Sequence, residues 1–169
     1  VGMSSLPFPP DSELLFDQFI QKPISITPFK EAVKCHLVPG KSVILYVEDD
    51  EDIAFLVQET FSELAPHYTV VHVNNLADAK EFARAYARKI GLIFTDENIH
   101  TAPNSHGGGL GSDLAAYVRS HLPQYAGGLV SYSAKELPAD RRSFFDKICN
   151  KPIDVHQLGE VVTAYLPKK

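Results

Sequence analysis

The sequence predicts an α/β domain built on a doubly wound parallel sheet, with a shorter segment in front of it. From residue 42 onward, short apolar runs alternate with longer segments of helical period, which is the pattern of βαβ units around a parallel sheet. The chain has 169 residues, enough for one α/β domain plus a remainder but short for two. We therefore expect a complete domain at residues 41–169 and treat residues 1–40 as a separate segment or linker.

The first half of the domain is predicted from its hydrophobic pattern. Residues 42–47 read SVILYV, an uninterrupted apolar and β-branched run that is typical of a strand covered on both faces. Residues 51–64 follow with apolar side chains spaced three and four apart, which indicates a helix with one buried face. Residues 68–73 show the strand pattern again, and residues 76–89 show the helical one.

The second half begins with a third strand at residues 90–95, which ends at Asp96. An unusually long connection, residues 97–111, is rich in Gly, Asn, Pro and His and precedes a helix at residues 112–121. The remaining elements are a strand, a short helix, a strand and a helix, at residues 129–133, 138–145, 147–150 and 155–166. Short connections and right-handed crossovers favour a five-stranded sheet with five flanking helices.

Composition excludes several classes of protein. With 44% hydrophobic residues, 22% charged residues and a net charge of −5, the chain is an ordinary globular one, which argues against a nucleic-acid partner. Its apolar runs are too short to cross a bilayer and it lacks a signal-peptide pattern, so we expect a cytoplasmic protein with no membrane partner. Cys35 and Cys149 are far apart and have no metal-binding spacing, so we expect reduced thiols.

Polar side chains stand where four of the five predicted strands end. Glu48 and Asp49 follow the first strand, Asp96 the third, Ser133 ends the fourth and Lys151 follows the fifth. Functional groups gather at this edge of a parallel sheet. Clustered carboxylates repel one another unless a cation lies among them, and Mg²⁺ prefers oxygen ligands. Because the lysine and the hydroxyl add donors for phosphoryl oxygens, the set predicts a site where a carboxylate accepts a phosphoryl group.

Four segments, in order, resemble the motifs of response-regulator receiver domains. VILYVEDDEDI is similar to the family's first strand and acidic pair, LIFTDENI to its phosphoacceptor strand, LVSYSA to its hydroxyl-bearing strand, and NKPI to its lysine–cis-proline motif. No single motif is specific, but the ordered set is, and it covers about residues 41–168. The resemblance implies a flavodoxin-like sheet with the strand order 2-1-3-4-5.

For the metal and the acceptor, the resemblance implies four residues. Glu48 and Asp49 would help to hold Mg²⁺, Asp96 would take the phosphoryl group and bind the metal, and the backbone carbonyl of Asn98 would complete the coordination. Glu48 and Asp49 have a simpler alternative role, as carboxylates favoured at the N-terminus of the following helix. We assign the role of helix cap to Asp50 instead.

For the phosphate, the resemblance implies three further residues. Ser133 and Lys151 would contact the phosphoryl oxygens, and Pro152 would follow a cis peptide bond. The switch aromatic that the family usually carries three positions before the lysine is replaced by Ile148. Tyr132, next to Ser133, is the aromatic that we consider as its substitute.

The long connection after the acceptor strand also departs from the family. Ile99 and His100 stand where the family usually has Met-Pro, and the loop is longer than usual. Its glycines precede a helix, as in nucleotide-binding loops, but the Lys-Ser/Thr of a P-loop and the third glycine of a dinucleotide fingerprint are missing. We therefore expect a mobile insertion. The spacing of His100 and His106 suits a metal clip, although scattered loop histidines are the commoner explanation.

The first 40 residues contain a partial copy of the end of the domain. Residues 16–37 match residues 145–166 at a constant offset, with eight of 22 positions identical, where chance gives roughly one or two. Both copies contain Phe-Asp and Lys-Pro-Ile before an amphipathic helix. We predict the last strand and helix of a preceding receiver copy, which has no acceptor of its own. Residues 24–37 would form an amphipathic helix docked on this chain's own receiver domain or on that of a neighbouring chain.

Together these features predict a receiver domain of a two-component His–Asp phosphorelay. It would accept a phosphoryl group on Asp96 from a histidine kinase or a histidine phosphotransfer protein and switch a protein-interaction surface, with self-association or a tandem receiver as further partners. We expect no enzymatic turnover beyond Mg²⁺-dependent self-phosphorylation and autodephosphorylation. One alternative is a receiver-fold scaffold that acts without phosphorylation. Another is a Mg²⁺-dependent phosphatase of the haloacid dehalogenase type, but those enzymes place a second aspartate where this chain has Asn98.

Overall fold

The computed structural model describes residues 2–4, 19–21, 43–103 and 108–166. The chain divides into two units, Val1–Gly40 and Lys41–Lys169. In the first unit, two short strands, β1 (Gly2–Ser4) and β2 (Phe19–Gln21), pair in parallel. The helix predicted at residues 24–37 lies outside the described residues.

A five-stranded parallel sheet forms the centre of the larger unit. The strands of this unit are β3 (Val43–Val47), β4 (Thr69–Val73), β5 (Ile90–Asp96), β6 (Asn98–His100), β7 (Gly108–Leu110), β8 (Gly128–Ser133) and β9 (Lys147–Asn150). The sheet has the order β4-β3-β5-β8-β9, and every neighbouring pair is parallel. Counted over these five strands alone, the order is 2-1-3-4-5, so the predicted topology is confirmed.

Five helices flank the sheet. They are α1 (Glu51–Leu64), α2 (Leu76–Tyr86), α3 (Gly111–His121), α4 (Ala139–Arg142) and α5 (Val155–Tyr165). Helix α1 packs beside α5, and α2 packs beside α3. The prediction of α2 was three residues too long, because the backbone N–H of Lys89 turns back to the carbonyl of Tyr86. Helix α4 is also shorter than the helix predicted at residues 138–145.

The core between the sheet and helices α1 and α5 is rich in aromatic residues. Tyr46, Phe94 and Tyr132 come from the adjacent strands β3, β5 and β8 and are at most 4% exposed. Phe61 of α1 packs edge-on against Phe94, with ring centroids 5.3 Å apart. The alternate residue Leu45 is also fully buried, on the opposite face of the sheet. Burial of both faces explains why the predicted first strand is continuously apolar.

The connection after β5 is a hairpin at its base. Strands β6 and β7 pair antiparallel, with His100 opposite Gly108, whose φ of 91° lies in the region that favours glycine. The hairpin also contacts the start of α2. Asn75, the N-cap of that helix, forms a bridge with His100, and the backbone N–H of Ala77 donates to the carbonyl of Thr101. The two ends of the connection that we expected to be a mobile insertion therefore form paired strands, and its mobility stays a prediction.

The two units share one feature of strand pairing. In the first unit, Met3 pairs with Ile20 and Ser4 pairs with Gln21. Adding the sequence offset of 129 to these numbers gives pairs 132–149 and 133–150, which are pairs in the register of β8 and β9. The short parallel pair in Val1–Gly40 therefore reproduces the pairing of the last two strands of the larger unit.

Two further predictions concern the membrane and the thiols. Within the part of the chain that the structure describes, no helix combines the length and the apolar character that a membrane crossing requires. The cytoplasmic location stays a prediction. Cys149 is buried and forms no disulfide with any described residue, and Cys35 lies outside the described residues, so the reduced state of both thiols stays a prediction.

Candidate functional site

The carboxyl ends of β3 and β5 bring three carboxylates together. Glu48 and Asp49 follow β3, and Asp96 is the last residue of β5. One oxygen atom from each lies within 4.8 Å of the others. Glu48 is 1% exposed and Asp96 is 7% exposed, so two of the three are almost completely removed from water. The convergence predicted from the strand ends is present.

The neighbouring Asp50 has a different role. It is the N-cap of α1, and its Oδ1 accepts hydrogen bonds from the backbone N–H groups of Asp52 and Ile53 at 3.0 and 3.1 Å. These bonds satisfy two of the amide groups that the start of a helix leaves without partners. Because Asp50 caps the helix, as predicted, Glu48 and Asp49 remain for the carboxylate cluster.

Lys151 links two of the three carboxylates. Its Nζ donates to Oε2 of Glu48 and to Oδ2 of Asp96, both at 2.9 Å. Its backbone N–H donates to the carbonyl of Ser133 at 2.9 Å, which fixes the lysine beside the end of β8. The peptide bond between Lys151 and Pro152 is cis, as the resemblance implies.

Burial and charge act in opposite directions on the pair formed by Glu48 and Lys151. Burial raises the pKa of Glu48, and the hydrogen bond from Lys151 offsets only part of this rise. Burial would lower the pKa of Lys151, but hydrogen bonds to Glu48 and Asp96 outweigh it and hold the pKa above its usual value. The raised pKa favours the ammonium form of Lys151, which is bonded to two of the three clustered carboxylates. Glu48, Asp49 and Asp96 are the residues of this site that could hold a metal ion.

Two other predicted site residues lie on elements next to Asp96. Ser133 ends β8 and is 1% exposed, and its Oγ accepts the backbone N–H of Lys135 at 3.2 Å. It follows Tyr132, which is the partner of Asp96 in the β5–β8 register. Asn98 is exposed and begins β6, two residues after Asp96. Both residues therefore stand at the same edge of the sheet as the carboxylates.

Comparisons with protein-family models and with curated proteins give no match. Solved structures do match. A response regulator receiver domain from Methylobacillus flagellatus is 22% identical, with a TM-score of 0.61 over 75% of this chain and 99% of that one. The signal receiver domain of a Luxo repressor protein from Vibrio parahaemolyticus is 21% identical, with a TM-score of 0.59 over 75% of this chain and 90% of that one. The fold is that of response regulator receiver domains.

A third structural neighbour contains a metal ion. The receiver domain of a sensor histidine kinase from Pseudomonas aeruginosa PAO1 is 18% identical, with a TM-score of 0.58 over 75% of this chain and 98% of that one. That domain has a magnesium ion coordinated in its active-site cleft. At identities of this size the likeness shows the receiver fold alone, so the chemistry of the site rests on this chain's own residues.

Glu97 is a residue of this receiver fold that the sequence interpretation missed. Its carboxylate is buried and accepts the backbone N–H and the hydroxyl of Ser112, at 2.9 and 2.8 Å. Its own N–H donates to Oδ1 of Asp96 at 2.6 Å, and its carbonyl accepts the N–H of Gly111 at 2.9 Å. Arg141 of α4 approaches the same carboxylate at 3.4 Å. Glu97 therefore joins the end of β5 to the start of α3 and to α4.

Two glycines, Gly109 in β7 and Gly111 at the start of α3, are explained by close packing. A Cβ atom at Gly111 would overlap the carbonyl oxygen of Asp96 and lie 2.9 Å from Oγ1 of Thr95. A Cβ atom at Gly109 would lie 2.9 Å from the carbonyl oxygen of Ile99. Because glycine has no side chain, the start of α3 can pack against the end of β5, and β7 can pack against β6. No bound nucleotide is needed to explain these glycines.

His100 brings an imidazole ring to the rim of the carboxylate cluster. Its Nε2 lies 3.4 Å from Oδ2 of Asp49. This contact follows from the hairpin, because β6 carries His100 from the end of β5 back past the end of β3. His106 lies outside the described residues, so the metal clip with His100 stays a hypothesis.

Proposed function

We propose that this chain is a phosphorylation receiver, in which Asp96 accepts a phosphoryl group from a histidine kinase or a histidine phosphotransfer protein. The observation that carries the proposal is the setting of Asp96. Its carboxylate is bonded to the ammonium of Lys151 at 2.9 Å and lies within 4.8 Å of oxygens from Glu48 and Asp49. A nucleophilic carboxylate beside positive charge suits attack on a phosphoryl group. The receiver fold of the structural neighbours supports the same proposal.

Mg²⁺ is the cofactor in this proposal. Glu48, Asp49 and Asp96 supply only oxygen donors, the ligands that Mg²⁺ prefers. A divalent cation would relieve the repulsion that Lys151 alone does not cancel. When bound, Mg²⁺ would supply charge stabilisation for the phosphoryl oxygens. Asn98, two residues after Asp96, is the residue whose backbone carbonyl we expect to complete the coordination.

The transfer exchanges one bond to phosphorus for another. A carboxylate oxygen of Asp96 forms a bond to phosphorus while the bond from phosphorus to the donor's imidazole nitrogen breaks, and the imidazole leaves with that electron pair. Lys151 neutralises charge on the phosphoryl oxygens, and the hydroxyl of Ser133 donates a hydrogen bond to one of them. Attack by water on phosphorus then breaks the bond to the Asp96 oxygen, which releases inorganic phosphate and restores the carboxylate. We propose no turnover of any other substrate.

The output in this proposal is a changed protein-interaction surface. The new charge draws Lys151 and Ser133 toward Asp96, and the backbone bond of 2.9 Å between Lys151 and Ser133 makes the ends of β8 and β9 respond together. Self-association and a tandem receiver belong to the partners that we propose. A scaffold that acts without phosphorylation is the competing function, and the aliphatic Ile148 at the family's aromatic position favours it.

We also propose that Val1–Gly40 is the end of another receiver copy. The register that β1 and β2 share with β8 and β9 supports this, and Ser4 takes the position of Ser133 in that register. Solution NMR of the whole chain tests it. A helix at residues 24–37 that contacts β2 would support the proposal, and an extended or unstructured segment there would contradict it.

Labelling with a small phosphodonor tests the main proposal. Wild-type protein is incubated with acetyl phosphate, with and without Mg²⁺, and phosphoprotein is separated on a phosphate-affinity gel. We expect a slower band that needs Mg²⁺ and is absent in Asp96→Asn. Asp113→Asn, which removes an exposed carboxylate of α3, is the matched control and should be labelled like the wild type. Equal labelling of Asp96→Asn, or none of the wild type, would overturn the proposal. Release of phosphate from small esters with turnover would indicate a phosphatase.

A further inference from the structure

The ammonium of Lys151 also lies over an aromatic ring. Its Nζ is 4.4 Å from the centroid of the Tyr132 ring. That ring is 4% exposed and stacks on Phe94, with centroids 5.4 Å apart and an angle of 24° between the planes. The ammonium is thus enclosed by two carboxylates and by the face of an aromatic ring that is itself held in the core.

The contact has a clear physical basis. A lysine ammonium has three N–H donors, and two of them are directed to Glu48 and Asp96. The negative face of an aromatic ring attracts a cation, and the attraction is stronger where water is excluded. A long flexible side chain loses rotamer freedom when it is fixed at one point. The ring of Tyr132 therefore limits where Lys151 can place its charge.

The position of Tyr132 in the sheet adds to this argument. Tyr132 is the partner of Asp96 in the register of β5 and β8, so backbone pairing fixes its Cα next to that of Asp96, and the stack on Phe94 holds the ring. Ile148 of β9, which occupies the family's aromatic position, pairs with Ser131 of β8 and has no aromatic ring. A second lysine–ring contact joins Lys80 to Tyr117, with the ammonium 5.7 Å from the ring centroid.

We propose that Tyr132 is a positioning residue for Lys151, whose ring holds the ammonium at Glu48 and Asp96 so that it meets the phosphoryl group. This inference rests on the proposed function, because it assigns a role within the same site. The ring face carries the effect and the hydroxyl does not. Phenylalanine therefore substitutes for Tyr132, an aliphatic residue does not, and a ring with the same shape but less negative faces is intermediate.

The experiment compares side chains at position 132 in the whole chain. The variants are Tyr132→Phe, Tyr132→Leu and Tyr132 replaced by phenylalanines of increasing fluorination, which keep the shape of the ring and weaken its negative face. Two quantities are measured: the side-chain NMR signal of the Lys151 ammonium, and the Mg²⁺-dependent rate of labelling by acetyl phosphate. Tyr117→Leu is the control, because it removes the contact between Lys80 of α2 and the Tyr117 ring of α3.

We expect Tyr132→Phe and Tyr117→Leu to keep both the signal and the rate within about twofold. Tyr132→Leu should shift the signal and slow labelling roughly tenfold, the size of a desolvated cation–π contact. Rate and signal should change stepwise with fluorination. Because the fluorinated rings preserve packing, this series decides the question even if Tyr132→Leu fails to fold. Unchanged rate and signal across the series would overturn the proposal, as would a Phe variant as impaired as Leu.

The two proposals fail in different ways. If the wild type is not labelled by acetyl phosphate, the proposed function fails. The ammonium signal of Lys151 then still reports whether the ring holds the lysine, since that signal needs no phosphodonor. If the wild type is labelled and the fluorinated series has no effect, only the role of Tyr132 is refuted.

Discussion

Glu48 and Lys151 form a 2.9 Å ion pair although 103 positions separate them in the sequence. Glu48 is 1% exposed, so this pair supplies the charge that a buried carboxylate needs. It also joins the first strand of the sheet to the segment that follows the last. The pair is therefore a structural link as well as a part of the proposed phosphorylation site.

Replacing Lys151 tests this link. Lys151→Met should lower the free energy of unfolding by about 3 kcal/mol, because Glu48 and Asp96 then remain buried without a counter-charge. The matched control is Lys147→Met, which removes an ion pair with Glu160 that is partly exposed. We expect it to cost much less than Lys151→Met, because ion pairs that are exposed to water contribute little to stability. Urea denaturation without Mg²⁺ measures the free energy of unfolding of both variants. Equal losses would show that the pair of Glu48 and Lys151 stabilises the protein no more than an exposed ion pair does.

Removing a carboxylate from the cluster should raise the free energy of unfolding. Asp49→Asn reduces the repulsion among three carboxylates within 4.8 Å of one another. Without Mg²⁺ we expect this variant to be more stable than the wild type by about 1 kcal/mol. Added Mg²⁺ should raise the melting temperature of the wild type and of Asp113→Asn, and should have little effect on Asp49→Asn. A wild type that does not respond to Mg²⁺ in calorimetry would argue against a metal site.

Glu97 provides a third test, at the base of the hairpin. Glu97→Ala leaves the backbone N–H and hydroxyl of Ser112 without their buried acceptor. We expect a loss of about 2 kcal/mol in the free energy of unfolding and faster hydrogen exchange at the start of α3. The control is Glu136→Ala, whose side chain is 85% exposed and pairs with Arg142. It should change stability by less than about 0.5 kcal/mol. Unaltered exchange at Ser112 in Glu97→Ala would contradict the role of Glu97.

Tyr46 gives a prediction of the reverse sign in the core. Its ring is fully buried, and its hydroxyl has no hydrogen-bond partner among the described residues. Tyr46→Phe should therefore raise the free energy of unfolding by about 1 kcal/mol, since it removes a buried polar group that makes no bond. Tyr125→Phe is the matched control, because the hydroxyl of Tyr125 donates to the carbonyl of Gly128. That variant should lose about 1 kcal/mol. A destabilised Tyr46→Phe would indicate that the hydroxyl has a partner.

The sequence predicts the features of this molecule that follow from the alternation of strands and helices and from the parallel orientation of the strands. The five strands alternate with helices, and parallel strands place their carboxyl ends at one edge, so Glu48, Asp96 and Lys151 were expected to meet. The bond between Glu97 and Ser112 was not predicted, because an acidic residue after a strand and a serine at a helix start are both common. The contact of Lys151 with Tyr132 depends on the direction of two side chains, which the sequence pattern does not specify.

The identity of the acceptor is the central claim, and chemical mapping tests it most directly. Sodium borohydride reduces an aspartyl phosphate to homoserine, which peptide mass spectrometry locates. After incubation with acetyl phosphate and Mg²⁺, we predict homoserine at position 96 of the wild type, and none there when either reagent is omitted. Homoserine at position 49 or at any other carboxylate, with position 96 unchanged, would contradict the claim that Asp96 is the phosphate acceptor.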